Sequence, residues 1–203
     1  MKKILLRAII AMVLLVKAYH MDIIELPISG LYEIRGTVTE ESLVAIEDSY
    51  AKIPETVRAS FEEQHGQIVI VGNELSILEE ADFKEDAEYK AYAEENGLYV
   101  VGLHNRLKDK VYIKASEIKD IETGALIHEI GHHVGTQGIK QNHYRVEWKE
   151  IWQMEGQYVS NYAAENEAEG FAECFKEMIM NEESFKVNYP LSYEYIQRCI
   201  ERL

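Results

Sequence analysis

The feature that most constrains this chain is the pentapeptide His128-Glu129-Ile130-Gly131-His132, which has the pattern H-E-x-x-H. Residues four apart lie on one face of a helix, so the two imidazoles could bind the same metal ion. Glu129, beside the first histidine, is then placed to act as general base on a metal-bound water. If the segment is helical and a third ligand exists, the pattern predicts a zinc hydrolase, most often a protease.

The residues around the motif favour a helix that follows a strand. Apolar residues recur at helical spacing over residues 118–134, where Asp120 or Thr123 could cap the start and Gly135 is expected to end the helix in a left-handed conformation. Residues 110–114 alternate polar and apolar side chains, which predicts a strand. Such a strand suits a protease, because an extended peptide can bind along an edge strand. The alternative is a surface helix with two solvated histidines.

A catalytic zinc ion takes three protein ligands and leaves one position for water. The longer pattern H-E-x-x-H-x-x-G-x-x-H fails here, since Gly138 stands where the last histidine would be. His133 points about 100° away from His132 on a helix. His143 could fold back towards the motif, although nothing in the sequence requires it. None of these residues is therefore a compelling third ligand.

A second predicted helix, at 161–181, offers carboxylates for this role. Its broad apolar stripe is bordered by Glu169 and Glu173, which lie one turn apart. Carboxylates at the edge of a buried face need partners. One of the two could bind the metal while its neighbour accepts the N–H of a ligating histidine. The remaining acids of this helix are interpreted as solvated charges: Glu165, Glu167 and Glu177.

This part of the chain resembles the zinc-protease domain of anthrax lethal factor and the secreted Pro-Pro endopeptidases. In that family a tyrosine precedes the ligand glutamate by seven residues, in a pattern similar to N-Y-x₆-E-F-F-A-E-x-F. The chain matches that pattern at Tyr162, Glu169, Phe171, Ala172, Glu173 and Phe175. It departs at Gly170, where the family usually has phenylalanine, and this changes the packing beside the ligand and leaves the ligand itself in place.

The resemblance implies a role for each candidate residue. The implied ligands of one Zn²⁺ per chain are His128, His132 and Glu169. Glu129 is the implied general base, Tyr162 the hydrogen-bond donor to the developing oxyanion, and Glu173 the acid that supports a ligating histidine.

The other segments predict a small mixed sheet with helices packed on it. Residues 40–64 favour one or two helices with a break near Pro54, and residues 67–71 form a β-branched run typical of a strand. Residues 98–101 and 111–113 could form a hairpin. Residues 82–95 are interpreted as a solvated helix, and a last helix is expected to begin near Pro190.

These elements predict an α+β fold: a zincin-like single domain with N-terminal helices and a helical C-terminal half that carries the zinc site. The loop at 102–110, with His104 and Arg106, is either a specificity loop over the cleft or a plain solvated turn. Cys174 and Cys199 could pair or remain buried thiols; the position of Cys174 near the apolar stripe slightly favours thiols.

The start of the chain predicts secretion. Residues 1–18 have the basic opening, short apolar run and small-residue cleavage site of a signal peptide, which leaves 19–203 as the zinc metalloprotease catalytic domain. The run is too short to span a bilayer. Arg7 interrupts it, and the alternative is a hydrophobic N-terminal helix.

The net charge disfavours two kinds of partner. Loss of residues 1–18 would remove four basic residues and no acid, so the net charge would change from −15 to −19. Such an acidic chain disfavours nucleic acid and anionic membranes as partners. The charge suits a secreted protein, and we expect the chain to be an extracellular monomer without a stable membrane span.

The predicted function is that of a secreted zinc-dependent endopeptidase acting on an extracellular or cell-surface protein or peptide. Pro-Pro specificity rests on analogy alone, because no sequence feature indicates a proline-binding subsite. The alternative is a catalytically inactive secreted binding protein on the same fold. The presence of both Glu129 and Tyr162 argues against that alternative.

Overall fold

The structure is a computed structural model that describes residues 30–79, 95, 97, 99–140 and 142–203. The predicted signal peptide at 1–18 lies outside these residues, as does all but one residue of the predicted helix at 82–95.

The described residues contain a four-stranded mixed sheet with strand order β1-β2-β4-β3. Its strands are β1 (Tyr32–Arg35), β2 (Gln67–Val71), β3 (Gly102–Asn105) and β4 (Lys110–Lys114). The β1–β2 and β2–β4 pairs are parallel, whereas β3 runs antiparallel to β4 and pairs Gly102 with Ile113. Within the described part of the chain, β3 is therefore an edge strand of the sheet.

Both faces of the central strands are buried, as expected for a β-branched run. In β2, Ile68 and Ile70 face the main core, which they share with the helices. Val69 and Val71 face a smaller apolar cluster on the opposite side of the sheet, together with Tyr112 of β4. The strand predicted at 67–71 is thus confirmed, whereas β1 was not predicted.

The predicted hairpin exists, but its first strand lies at 102–105, and the described residues 99–101 of the segment predicted for it are not strand. The turn determines this register. The Asn105 side chain accepts hydrogen bonds from the backbone N–H groups of Leu107 and Lys108, and Asp109 adopts a left-handed φ of 50°. A tight turn therefore occupies 106–109, and most of the predicted loop at 102–110 is strand.

The described helices supply most of the remaining structure. They are α1 (Glu40–Lys52), α2 (Glu55–Glu63), α3 (Ile118–Glu122), α4 (Ala125–Gly138), α5 (Asn142–Met154), α6 (Glu167–Met180), α7 (Glu182–Asn188) and α8 (Pro190–Ile200). The break near Pro54 and the start at Pro190 agree with the predictions, and the α+β fold class is confirmed. Among the described residues, every helix is too short or too polar to cross a bilayer.

The helix predicted at 118–134 is in fact two helices, α3 and α4. Gly124 separates them with a φ of 105°, a conformation that residues with a side chain rarely adopt. The prediction that Gly135 ends the helix was also wrong, because α4 continues to Gly138. Gly135 instead lies against the Phe171 ring of α6.

The helix predicted at 161–181 begins later, at Glu167. The Asn166 side chain caps it by accepting hydrogen bonds from the backbone N–H groups of Ala168 and Glu169. This cap places Glu169 in the first turn of α6 and leaves Tyr162 in the preceding turn. The Asn-x-x-Glu spacing from Asn166 to Glu169 is the sequence signal that predicts this start.

Helices α4 and α6 approach closely because glycines face the contact. A Cβ atom built on Gly131 would lie 3.0 Å from the Cα of Ala172 and 3.2 Å from its carbonyl oxygen. Phe171 and Phe175 of α6 are buried at this contact. The short distance between the helices allows an acid of α6 to reach histidines of α4.

Candidate metal site between two helices

Helix α4 carries the H-E-x-x-H residues, which differ in how far they are buried. His128 is buried, with 6% of its surface exposed, and Glu129 is 8% exposed. His132 is more accessible, with 16% of its side chain exposed. The rings of His128 and His132 lie 4.9 Å apart at their centroids and are nearly perpendicular. The two imidazoles therefore lie side by side on one face, as the i,i+4 spacing predicts.

Glu169 of α6 completes a possible set of metal ligands. One carboxylate oxygen, Oε2, lies 3.0 Å from His128 Nε2 and 3.2 Å from His132 Nε2. The potential ligand atoms of these three residues all lie within 4.8 Å of one another. Two imidazole nitrogens and one carboxylate oxygen are a donor set that can bind a divalent metal ion. The cluster could therefore hold a metal ion.

The protonation of this cluster follows from its contacts. Burial alone would lower the pKa of His128, but its hydrogen bonds with Glu169 and Glu173 outweigh burial and raise the pKa to about 9. Burial alone would raise the pKa of Glu169, but hydrogen bonds with His128 and His132 bring it well below the usual range. The Glu169 carboxylate is therefore charged in these contacts, which is the state that a metal ligand needs.

Glu173 lies behind His128, where the sequence predicted a supporting acid. Its Oε1 accepts a hydrogen bond from His128 Nδ1 at 2.9 Å and one from Lys176 Nζ at 2.7 Å. Its Oε2 accepts a hydrogen bond from the Ser160 hydroxyl at 2.7 Å. Burial alone would raise the pKa of Glu173, but these three donors lower it to about 2. The bond at Nδ1 directs Nε2 of His128 towards the cluster.

Glu129 points towards the edge strand β3. A Cβ atom on Gly102 would lie 2.6 Å from Glu129 Oε1, so the carboxylate lies directly against this glycine. Burial raises the pKa of Glu129. A carboxyl group with a raised pKa is better suited to accept a proton and release it later. Sequence reasoning did not identify Gly102, because its closeness to Glu129 depends on how β3 packs on α4.

Tyr162 lies in the turn before α6, beside His128. The centroids of the two rings are 5.4 Å apart, and 47% of the tyrosine is exposed. The turn is held in part by Trp152, whose Nε1 donates to the Ala163 carbonyl. A Cβ atom on Gly170 would lie 2.3 Å from the Trp152 ring. The glycine that departs from the family pattern thus makes room for this tryptophan.

The two other candidate histidines lie outside the cluster. His143 is exposed on α5 and packs against Tyr144. His133 is fully buried and points away from the cluster, as predicted, and its Nδ1 lies 2.8 Å from Asp109 Oδ2. Asp109 also bonds Nε2 of His104 at 2.8 Å, so one carboxylate joins α4 to the β3–β4 hairpin.

The hairpin network was not predicted, and it changes the interpretation of the 102–110 segment. His104 lies in β3, its side chain is only 1% exposed, and its ring stacks parallel to that of His132 with 6.3 Å between centroids. Arg106 lies exposed in the turn. The two cysteines, Cys174 and Cys199, are buried free thiols, the alternative that the sequence slightly favoured.

The fold and the site together define an α+β protein with a candidate metal centre between two helices and a glutamate beside it. The chain belongs to the family described as "Anthrax toxin lethal factor, N- and C-terminal domain", whose family model matches residues 13–199. This confirms the family resemblance seen in the sequence. No significant match was found among curated proteins.

A solved structure with a similar fold is that of the Pro-Pro endopeptidase PPEP-2 from Paenibacillus alvei. The TM-score is 0.64 at 19% sequence identity, and the match covers 83% of this chain and 96% of that chain. At this identity the comparison shows a shared fold. Together with the family match, it supports a protease-like function for the chain.

Proposed function

We propose that this chain is a zinc-dependent endopeptidase. The observation that carries the proposal is the convergence of His128, His132 and Glu169, whose ligand atoms lie within 4.8 Å of one another, next to the buried carboxyl of Glu129. Bound at this set, zinc would lower the pKa of a water ligand towards ~7 and polarise the scissile carbonyl.

The residues of the chain have distinct tasks in the proposed reaction. Glu129 accepts the proton of the attacking water and later passes it to the leaving amine. The Tyr162 hydroxyl donates a hydrogen bond to the oxygen on which negative charge develops. Glu173 keeps Nε2 of His128 directed towards the cluster through its bond to Nδ1.

The proposed substrate is an extended peptide or protein segment. The strand predicted at 110–114 is β4, which lies inside the sheet, so it is not the edge strand that was expected to bind substrate. Strand β3 contacts α4, and a peptide could add by backbone hydrogen bonds to the side of β3 that no described strand pairs with. The name of PPEP-2 makes peptides that contain Pro-Pro the first to test, and we propose this specificity by analogy alone. Secretion, proposed from the signal-like residues 1–18, would make the substrate extracellular.

The test is cleavage of a peptide library that includes Pro-Pro sequences, with and without a chelator. We expect the wild type to cleave at least one peptide, to lose activity with the chelator and to regain it with zinc. Glu129→Gln should retain zinc and lose cleavage, because it removes the proton acceptor and leaves the ligands. Glu63→Gln, at an exposed position of α2, is the matched control and should cleave normally.

Two outcomes would contradict the proposal. Zinc binding without cleavage of any peptide would favour a binding protein on the same fold. Near-normal cleavage by Glu129→Gln would remove Glu129 from the mechanism.

A further inference from the structure

We propose that Ser160 is a positioning residue that ties the turn carrying Tyr162 to the carboxylate that supports the ligand His128. This inference rests on the proposed function, because it concerns where the oxyanion donor lies. It assigns a role to a residue that the H-E-x-x-H motif and the family pattern leave out.

The two oxygens of Glu173 serve different parts of the site. Oε1 accepts from Nδ1 of His128 at 2.9 Å, and so orients a ligand on α4. Oε2 accepts from the hydroxyl of Ser160 at 2.7 Å, and so holds the segment before α6. Glu173 itself is 5% exposed, so both bonds form where water competes little. One buried acid therefore connects the ligand helix to the turn.

Ser160 also restrains the backbone of the turn that contains Tyr162. Its hydroxyl donates to Glu173 and at the same time accepts a hydrogen bond from the backbone N–H of Ala163 at 3.0 Å. The bond from Ala163 closes a short turn that contains Tyr162, and the bond to Glu173 holds that turn against α6. The Tyr162 carbonyl accepts from the Glu165 N–H at 3.1 Å, which continues the turn towards α6.

The backbone of the turn contributes to the position of Tyr162, which is 47% exposed. Its ring centroid is 5.4 Å from that of His128. A donor to a developing oxyanion has to be held within a few tenths of an ångström to be effective. The Ser160 tether places this donor relative to the same acid that orients His128.

Loss of the Ser160 hydroxyl should affect the turn and spare the ligands. Glu173 would keep its bonds to His128 and to Lys176, both of which are made by Oε1. The charge of Glu173 would still be paired with the Lys176 ammonium at 2.7 Å. A defect in Ser160→Ala that acts through Tyr162 can therefore be distinguished from one that acts through the metal site.

A double-mutant cycle tests the proposal. Ser160→Ala should lower kcat roughly tenfold, about the effect of one lost hydrogen bond, with KM and zinc affinity unchanged. Tyr162→Phe should lower kcat by on the order of 10²–10³. In the Tyr162→Phe background, Ser160→Ala should have no further effect, because the group that it positions is already absent. Ser160→Thr keeps the hydroxyl and should restore most of the activity.

Hydrogen exchange provides a measurement that needs no catalysis. In Ser160→Ala, the amides of 160–166 should exchange faster than in the wild type, because Ala163 N–H loses its acceptor. Ser184→Ala, at an exposed serine of α7, is the matched control and should leave this segment unchanged.

The outcomes separate the tether from the proposed enzyme activity. The proposed role of Ser160 would be wrong if Ser160→Ala lowered kcat equally in the wild type and in Tyr162→Phe, or if it also lowered zinc affinity. Unchanged hydrogen exchange of the amides of 160–166 in Ser160→Ala would also contradict it. If the wild type cleaves no peptide, the proposed function fails, and the exchange measurement alone decides whether Ser160 holds the turn.

Discussion

At the scale of single residues, the position of the Glu129 carboxylate depends on the absence of a side chain at Gly102. Gly102→Ala would place a methyl group 2.6 Å from Glu129 Oε1, which is closer than two such atoms can approach. Either the carboxylate or strand β3 has to move. We expect kcat to fall by roughly 10²-fold, because displacement of a catalytic group by about 1 Å has effects of that size.

The measurement is kcat and zinc content of Gly102→Ala beside those of Gly30→Ala. The control changes a glycine with nothing within 4 Å of the new Cβ position. Zinc content should be normal in both variants. Normal kcat in Gly102→Ala would mean that Glu129 does not need its observed position.

The sequence identified the residues of the cluster whose positions follow from local spacing, and it did not identify those whose contacts depend on packing. His128 and His132 are four apart on a helix, so their common face follows from helix geometry alone. Glu169 and Glu173 could be found because they border an apolar stripe. Ser160, Gly102 and Asp109 carry no such local signal, since their contacts join segments that are distant in the chain.

At the scale of elements, the site depends on how closely α4 and α6 approach. Replacement of glycine by alanine within a helix usually stabilises a protein by about 0.5–1 kcal/mol. Gly131→Ala should do the opposite, because its Cβ atom would lie 3.0 Å from the Cα of Ala172 and the backbone there cannot rotate away. We expect a loss of about 1–3 kcal/mol in the free energy of unfolding and weaker zinc binding, since Glu169 would move away from the histidines.

Urea denaturation and zinc titration of Gly131→Ala would measure both effects. Gly30→Ala, at an open position, is again the control. A Gly131→Ala protein as stable as the wild type would show that the helices can separate slightly without cost, and the contact would not set the distance between Glu169 and His132.

The ends of the helices and strands depend on turn and cap residues, which the periodicity of apolar residues does not identify. The apolar spacing of 118–134 predicted helix correctly, but the left-handed Gly124 divided it. The stripe at 161–181 predicted α6, but the cap at Asn166 decided where it begins. The β3–β4 hairpin was predicted in kind, and its register followed from the turn that ends at Asp109.

At the scale of the whole molecule, Asp109 links the sheet to α4, and this link should depend on pH. Burial alone would raise the pKa of Asp109, but hydrogen bonds with His104 and His133 lower it from 3.8 to about 2. A carboxyl whose pKa is lower in the folded state stabilises the protein fully above its unfolded pKa. That contribution is lost as the pH falls from about 4 towards 2.

The test compares Asp109→Asn with the wild type by urea denaturation of the metal-free proteins at several pH values. Asparagine tolerates the left-handed φ of this position, so the variant removes the charge without strain in the backbone. The wild type should be more stable at about pH 6, and the difference should shrink as the pH falls below 4. A difference that is absent at pH 6, or equally large at pH 3, would contradict this role.

The fold class was accessible from the sequence because its strands and helices have strong local patterns. The β-branched run at 67–71 and the apolar spacings of α4 and α6 were sufficient to predict an α+β protein. The strand order β1-β2-β4-β3 was not accessible, because it depends on long-range pairing and on the unpredicted strand β1.

We propose that one metal ion binds where α4 and α6 meet, and calorimetric titration of zinc into the metal-free protein measures this binding. Glu169→Gln removes the ligand of α6, and Glu165→Gln changes an exposed acid in the turn before that helix. We expect one zinc per chain in the wild type and in Glu165→Gln, and binding at least roughly 100-fold weaker in Glu169→Gln. Equal zinc affinity in Glu169→Gln and the wild type would contradict it.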